Sequence, residues 1–130
     1  MSLRVAIVTV SDGVAAVLAR ARTDADEADL VVLTGGTGVS PRDRTPEGVR
    51  SVVEFEVPGL AEKMRLDTSN GFPPAYLSRQ VVGVRRKTLV VALPGSPKGA
   101  ADCLAAILPL VPHAVALVRG ERPEHPPASG

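Results

Sequence analysis

The stretch Asp29-Leu30-Val31-Val32-Leu33-Thr34-Gly35-Gly36-Thr37-Gly38 decides the fold. Its apolar side chains sit at successive positions, Leu30 to Leu33, instead of alternate ones. A strand with that pattern is buried on both faces, as in a parallel sheet covered by helices. Gly35, Gly36 and Gly38 then stop the strand and let the main chain approach a ligand. Thr88 to Leu93 (Thr-Leu-Val-Val-Ala-Leu) repeats the arrangement and runs into Pro94-Gly95-Ser96-Pro97-Lys98-Gly99. Leu3 to Val10, broken only by Arg4, is a third run with the same expectation of burial on both faces. Gln80 to Arg85 is a weaker fourth strand, expected nearer an edge.

Helical patterns fall between these runs. Val14 to Arg22 places Val14, Val17, Leu18 and Ala21 at helical spacing behind Asp12 as an N-cap. Thr45-Pro46-Glu47 opens another, with Thr45 as N-cap, proline at the first position and an acid in the first turn. Val49, Val52, Val53 and Phe55 would be its inner face. Gly59 to Arg65 reads as a short helix after Pro58. Ser96-Pro97 repeats the cap-then-proline start for a helix over Ala100 to Leu108. Pro109 and Pro112 are expected to end it, leaving Ala114 to Val118 as a last turn or short strand. Strands alternating with helices predict an α/β domain of three layers, a mostly parallel central sheet with helices on both faces. One domain over residues 1–119 is expected, with 120–130 as a disordered, proline-rich tail.

Lys and Arg number 15 against 14 Asp and Glu, a net charge of +1, which gives no basic footprint for nucleic acid. Two Phe, one Tyr and no Trp argue against stacked single-strand recognition and leave an aliphatic core. Cys103, the one cysteine, forms no internal disulfide or cysteine-cluster zinc site. The apolar stretch Cys103 to Val118 is shorter than the roughly 20 residues of a membrane span. Its expected place is a buried helix pair at the end of the domain. No leader is read at Met1-Ser2-Leu3-Arg4, and the expectation is a cytoplasmic protein without a membrane partner.

In open α/β sheets, ligands sit beyond the carboxyl ends of the strands. That rule selects the loops after Thr34 and after Leu93. In the first, glycine N–H groups and the helix opening at Pro46 face one region, and Asp43 lies between Arg42 and Arg44. A carboxylate beside phosphates suits a Mg²⁺ ligand or a positioning group. The spacing matches neither a Walker A loop nor a dinucleotide fingerprint. In the second, Ser96 caps a helix whose free N–H groups suit an anion, and Lys98 adds a cation.

Thr34-Gly35-Gly36-Thr37-Gly38 followed by Arg42-Asp43-Arg44-Thr45-Pro46-Glu47 resembles the signature of the Mog/MoaB family of molybdopterin-binding domains. Further motifs follow in the family's order: Pro58-Gly59-Leu60-Ala61-Glu62-Lys63-Met64-Arg65, Leu77-Ser78-Arg79, Leu93-Pro94-Gly95-Ser96-Pro97-Lys98 and Pro109-Leu110-Val111-Pro112-His113. A sister branch, the domain of competence-damage proteins, tends to carry Leu at the second threonine and Asp-Asp before the later one. Thr37 and Arg42-Asp43 therefore fit the molybdopterin branch better.

The resemblance implies adenylylation of molybdopterin with Mg-ATP, releasing pyrophosphate. It implies that Thr34, Gly35, Gly36, Thr37 and Gly38 hold the pterin or phosphate side. Gly95, Ser96 and Pro97 would hold another part of the ligand, and Asp43 would be catalytic or bind Mg²⁺. Ser78 and Arg79 are weaker candidates, and Arg79 reads equally as a structural ion-pair partner. Glu62 and Arg65 read as a surface pair, and His113 as a packing or capping residue. Family members assemble as trimers or hexamers, which implies a homo-oligomer here, with other cofactor-assembly proteins as further partners.

The N-terminal third departs from the family. Members follow the first strand's Ser-Asp with an Asp-Arg-Ser-Gly segment, a helix, a second strand and a Pro-Asp loop. Here Ser11-Asp12-Gly13 passes straight to a helical pattern, as if a segment were missing near residues 11–12. Asp12 is either the Asp of the first strand's Ser-Asp or the second active-site carboxylate, catalytic and Mg²⁺-binding beside Asp43. Two functions follow: a molybdopterin adenylyltransferase, or a molybdopterin-binding or scaffold module without catalysis.

Overall fold

The structure, a computed structural model, describes residues 3–10 and 28–122. The expected helix Val14 to Arg22, the Ser11–Asp12 junction, Asp12 itself and the tail from residue 123 lie outside the described residues. The elements in chain order are β1 (Val5–Thr9), β2 (Leu30–Thr34), α1 (Thr45–Val52), β3 (Phe55–Glu56), α2 (Pro58–Ser69), a 3-10 turn (Pro73–Leu77), β4 (Val82–Arg85), β5 (Thr88–Leu93), α3 (Pro97–Ile107), a second 3-10 turn (Leu108–Leu110) and α4 (Val111–Val118).

One sheet runs β1-β2-β5-β4-β3. β1, β2 and β5 are parallel, with Val5 opposite Leu30 and Leu30 opposite Leu89. β4 and β3 are antiparallel, so the sheet is mixed where a mostly parallel one was expected. The cause is the link between β4 and β5, only Arg86 and Lys87, which can do nothing but reverse the chain. Arg86 takes the left-handed φ of 53° that tight hairpin links favour.

Successive side chains of β2 and β5 point to opposite faces. Val31, Leu33, Val90 and Ala92 join Val49 of α1 in one core. Leu30, Val32, Leu89 and Val91 join Met64 of α2, Cys103 and Ile107 of α3, and Val111 and Val115 of α4 in the other. The result is the expected three-layer α/β domain. β1 differs from expectation: it is an edge strand, and Val5 and Ile7 are 50% and 69% exposed. Among the described residues, the helices on that face lie over β5 and β4 and not over the outermost strand.

Several boundaries moved for local reasons. Phe55 belongs to β3 and is exposed, because the chain turns extended at Val53. α2 starts at Pro58 and runs to Ser69, beyond Arg65, because Thr68 and Ser69 return their hydroxyls to carbonyls of the same helix. Arg65 donates to Gln80 O at 3.1 Å, so it ties α2 to the approach to β4 in place of the expected pair with Glu62. α3 ends at Ile107, just ahead of Pro109, as expected. Pro109 and Pro112 then each stand at the start of the next helical segment, where a missing N–H is tolerated. Ala114 to Val118 is therefore helix. The 22 residues 97–118 are long and apolar enough to cross a membrane by length and composition, yet Cys103, Ile107, Val111 and Val115 form a buried stripe against the sheet.

At the amino ends of the strands, the Asp29 carboxylate is buried, accepts the Arg4 N–H at 2.9 Å and pairs with the guanidiniums of Arg4 and Arg119. The Arg4 backbone hydrogen bond, with Arg119 beside it, holds its pKa below the ordinary 3.8 against the opposing effect of burial. That carboxylate joins β1, β2 and the end of α4.

Gly83 has no room for a side chain: a Cβ there would stand 2.8 Å from both Val53 methyls and 2.9 Å from the Phe55 carbonyl. Gly83→Ala should lower stability by about 1–3 kcal/mol in urea unfolding. Gly59→Ala, where nothing stands within 4 Å, should be neutral or slightly stabilising in the same measurement.

Candidate functional site

β2 and β5 are parallel neighbours, but their following helices pack on opposite faces of the sheet, α1 on one and α3 on the other. The two exits diverge and leave a crevice at the carboxyl ends, as α/β sheets do where the winding reverses. The loops are joined at its base. The Gly35 N–H donates to Leu93 O at 3.0 Å, and Gly95 lies against Gly35.

The first loop is shaped by close packing. Gly36 has φ 69°, and a Cβ there would overlap Thr45 Oγ1. Thr45 Oγ1 donates to Gly35 O at 2.8 Å, and the Thr45 N–H donates to Gly36 O at 3.1 Å. Thr45 was expected to cap α1. The cap position is instead Arg44, without a side-chain cap bond, and Thr45 is used to hold the glycines. A Cβ on Gly38 would stand 2.7 Å from Asp43 Oδ2. The same Oδ2 accepts the Ser40 N–H at 3.0 Å, so Asp43 closes its own turn. Among the described residues, the N–H groups of Thr37, Gly38 and Val39 donate to no protein acceptor.

Arg79 clamps this loop from a distant part of the chain. Its N–H donates to Thr37 O at 2.7 Å, its Nε to Gly38 O at 2.9 Å and its guanidinium to Asp43 O at 2.7 Å. The same guanidinium grips Glu47 of α1 at 2.8 and 3.2 Å. Of the two roles open to Arg79, the structural ion pair is the one formed. The Arg79 hydrogen bond holds the Glu47 carboxyl below its ordinary 4.5 and raises the guanidinium further.

On the second loop, Ser96 Oγ accepts the Gly99 N–H at 3.1 Å, the expected cap of α3. Its hydroxyl proton stays available to a ligand. Lys98 reaches Asp102 at 2.8 Å, and that carboxylate raises its pKa above the ordinary 10.5.

A cavity of about 620 Å³ opens between the loops, walled by residues 37–43, by parts of 68–80 and by the start of α3. That is within the usual 300–1,000 Å³ of small-molecule sites. Thr37, Gly38, Asp43 and Ser96 line it together, as does Ser78. Thr34, Gly35, Gly36, Gly95 and Pro97 do not; they shape the loops behind it. His113 is half-buried on α4 and does not line the cavity. The wall at Phe72 and Pro74 went unread in the sequence, and Leu77 stood there only as the first residue of the Leu77-Ser78-Arg79 motif. The wall's only other signal was the cluster Gly71-Phe72-Pro73-Pro74 after a helical pattern.

A magnesium ion bound with substrate phosphates needs only one or two protein carboxylates. Asp43 Oδ1 would be the atom to hold such an ion, since Oδ2 is engaged by Ser40. Among the described residues there is no cluster of three or more His, Cys, Asp or Glu fit to cage a metal. The donor set thus suits a cation arriving with a nucleotide.

If Arg79 fixes the glycine loop, Arg79→Lys should fail to replace it, because an ammonium lacks the planar fork. Amide exchange over residues 38–43 should speed up alike in Arg79→Lys and Arg79→Ala. The pH dependence has a definite sign. Glu47 titrates lower in the folded chain than its ordinary 4.5, so its bridge contributes fully above about that pH and is lost as pH falls through the folded value. The melting temperature of Glu47→Gln should lie below wild type at pH 7, and the difference should close toward pH 3.

Residues 4–113 match the family model described as "Probable molybdopterin binding domain". The molybdopterin adenylyltransferase of Helicobacter pylori (strain J99) is 45% identical over 97 residues, covering 75% of this chain and 55% of that protein. Gephyrin of Dictyostelium discoideum is 38% identical over 92 residues, 71% of this chain and 13% of that one. Among solved structures, the molybdopterin biosynthesis enzyme MoaB of Thermus thermophilus superposes with a TM-score of 0.85 at 40% identity, covering 92% of this chain and 98% of that chain. The Mog protein of Mycobacterium ulcerans superposes at 0.77 and 40% identity, covering 85% and 71%. The chain spans about half the length of the Helicobacter relative. With the fold, the paired glycine loops and these matches together, the chain belongs to the Mog/MoaB family of molybdopterin-binding domains.

Proposed function

We propose that this chain adenylylates molybdopterin, using Mg-ATP, in molybdenum cofactor assembly. The observation that carries the reading is the cavity between the two loops, where open main-chain N–H groups, the Ser96 hydroxyl and Asp43 face one space. Similarity to named molybdopterin adenylyltransferases supports it. In the reaction, a phosphate oxygen of molybdopterin bonds to the α-phosphorus of ATP. The bond from that phosphorus to the bridging oxygen breaks, and pyrophosphate leaves with the electron pair. Phosphoryl and nucleotidyl transfers ask a protein mainly for positioning and charge neutralisation.

The residues present can supply both. The N–H groups of Thr37, Gly38 and Val39 hold an anionic oxygen, and Ser96 donates a hydrogen bond from the opposite side. Lys98 lines the cavity with its ammonium paired to Asp102, and a ligand phosphate would compete for it. Asp43 is held against the loop by Ser40 and would hold Mg²⁺, which would supply charge neutralisation on the nucleotide phosphates. Asp12 is the second carboxylate of this reading. Self-association into a trimer or hexamer belongs to the same reading, as does a cytoplasmic setting with ATP and reduced Cys103. Leu108 and Leu117, each about half exposed on the terminal helices, are apolar surface available to a copy.

The absence of an Asp-Arg-Ser-Gly segment after the first strand is the ground for one second reading, a module that binds molybdopterin without turning it over. Incubation with molybdopterin, ATP and Mg²⁺ separates the two, since only the enzyme releases pyrophosphate. Asp43→Asn should cut that release by roughly two to four orders of magnitude, as loss of a key electrostatic group does. Pterin affinity, measured by calorimetry, should stay within a few-fold. Normal turnover in Asp43→Asn would remove the carboxylate from the mechanism.

A further inference from the structure

All three aromatic side chains of the chain stand in solvent: Phe55, Phe72 and Tyr76 are 57%, 61% and 61% exposed. Phe72 lines the cavity, and so do Pro74, Ala75 and the exposed Leu77. Val39, on the glycine-loop wall, is exposed as well. Exposed apolar surface gathered at a cavity mouth marks a binding groove more often than a random defect of packing.

This wall is a fixed shelf. The Phe72 N–H donates to Ser69 O at 3.3 Å, the Ala75 N–H to Phe72 O at 2.9 Å and the Ser78 N–H to Ala75 O at 3.1 Å. Pro73 and Pro74 restrict their own φ. The Arg79 clamp and the Arg65 bond to Gln80 O anchor the segment's far end. Across the cavity stand Ser96, Lys98 and the open N–H groups of the glycine loop. One wall therefore offers apolar side chains, and the others offer hydrogen-bond donors, the Lys98 ammonium paired with Asp102, and the Asp43 carboxylate. A ligand that fills both carries a planar ring at one end and an anionic group at the other.

We propose that Phe72 is a stacking platform for the fused heteroaromatic ring of the phosphate-bearing ligand and, with Leu77, selects ring-bearing over ring-less phosphates. The proposal rests on the reading of the cavity as a pterin and nucleotide site. Both molybdopterin and ATP carry such a ring, and the test distinguishes them.

The chain contains no tryptophan, so Phe72→Trp creates a lone indole on the shelf. That variant is titrated with ATP, with molybdopterin and with inorganic pyrophosphate, and Phe55→Trp serves as the off-site control. The expected result is quenching at position 72 by one or both ring-bearing ligands, none by pyrophosphate, and silence at position 55. The arm that quenches names the ring. Calorimetry on the unlabelled background should show about tenfold weaker binding of that ligand to Phe72→Ala, in line with loss of one aromatic stack. Phe72→Tyr should hold it within about twofold, because the ring face is kept. Equal affinity in wild type and Phe72→Ala for both ring-bearing ligands overturns the proposal alone. So does emission at position 72 that follows protein dilution and ignores ligand, which would mean a second copy covers the shelf. A wild-type chain that binds neither ATP nor molybdopterin overturns the functional reading, and this proposal with it.

Discussion

β2 and β5 run side by side, in the same direction, buried on both faces, and send their helices to opposite sides of the sheet. Everything else in the site is a consequence. The parallel direction puts both loops at one end. The split of the helices keeps those loops from closing over each other. The period-two alternation of Leu30 to Leu33 and Leu89 to Ala92 supplies each helix layer with its own aliphatic core. A register slip of one residue would exchange the two cores and could not be absorbed.

The crevice alone would be only a gap between loops. It becomes a shaped cavity because the glycine loop is held from three directions. Thr45 fixes Gly35 and Gly36 from α1, Asp43 fixes the turn at Ser40 from within, and Arg79 fixes Thr37, Gly38 and Asp43 from beyond α2. Arg79 also grips Glu47, so the loop, the start of α1 and the approach to β4 form one unit. A loop that must present open N–H groups to a ligand cannot satisfy them internally, and clamping its carbonyls is the way left to keep it ordered.

The fold was legible where burial on both faces writes itself as an unbroken apolar run, as in Leu30 to Leu33 and Leu89 to Leu93. It was less legible where a short link decides direction: nothing in Val82 to Arg85 announces an antiparallel strand until Arg86 and Lys87 are seen as the whole of the turn. β1 misled because Val5 and Ile7 look like core residues, yet an edge position leaves them half covered. Pro109 marked the end of α3 correctly, but the helix after it went unread, because a proline that ends one helix and a proline that starts the next are the same letter. In the site, Gly38, Asp43 and Ser96 stood out by their place in the two loops, and all three line the cavity. The Phe72 wall did not, because a phenylalanine between a glycine and two prolines has no period to read. Thr45 was assigned the right neighbourhood and the wrong bond, since a cap and a clamp use the same hydroxyl.

The seam that forms the cavity also has a kinetic meaning. The β4–β5 hairpin is closed by two residues and can form early, and residues 97–118 propagate as local helix. The β2–β5 pairing joins Leu30 to Leu89 across most of the described chain, and its loop-closure entropy must be met before any contact rewards it. The crevice exists only once that pairing exists. A chain with its local helices and the β4–β5 hairpin formed but this pairing unmade would therefore hold much native secondary structure and no crevice.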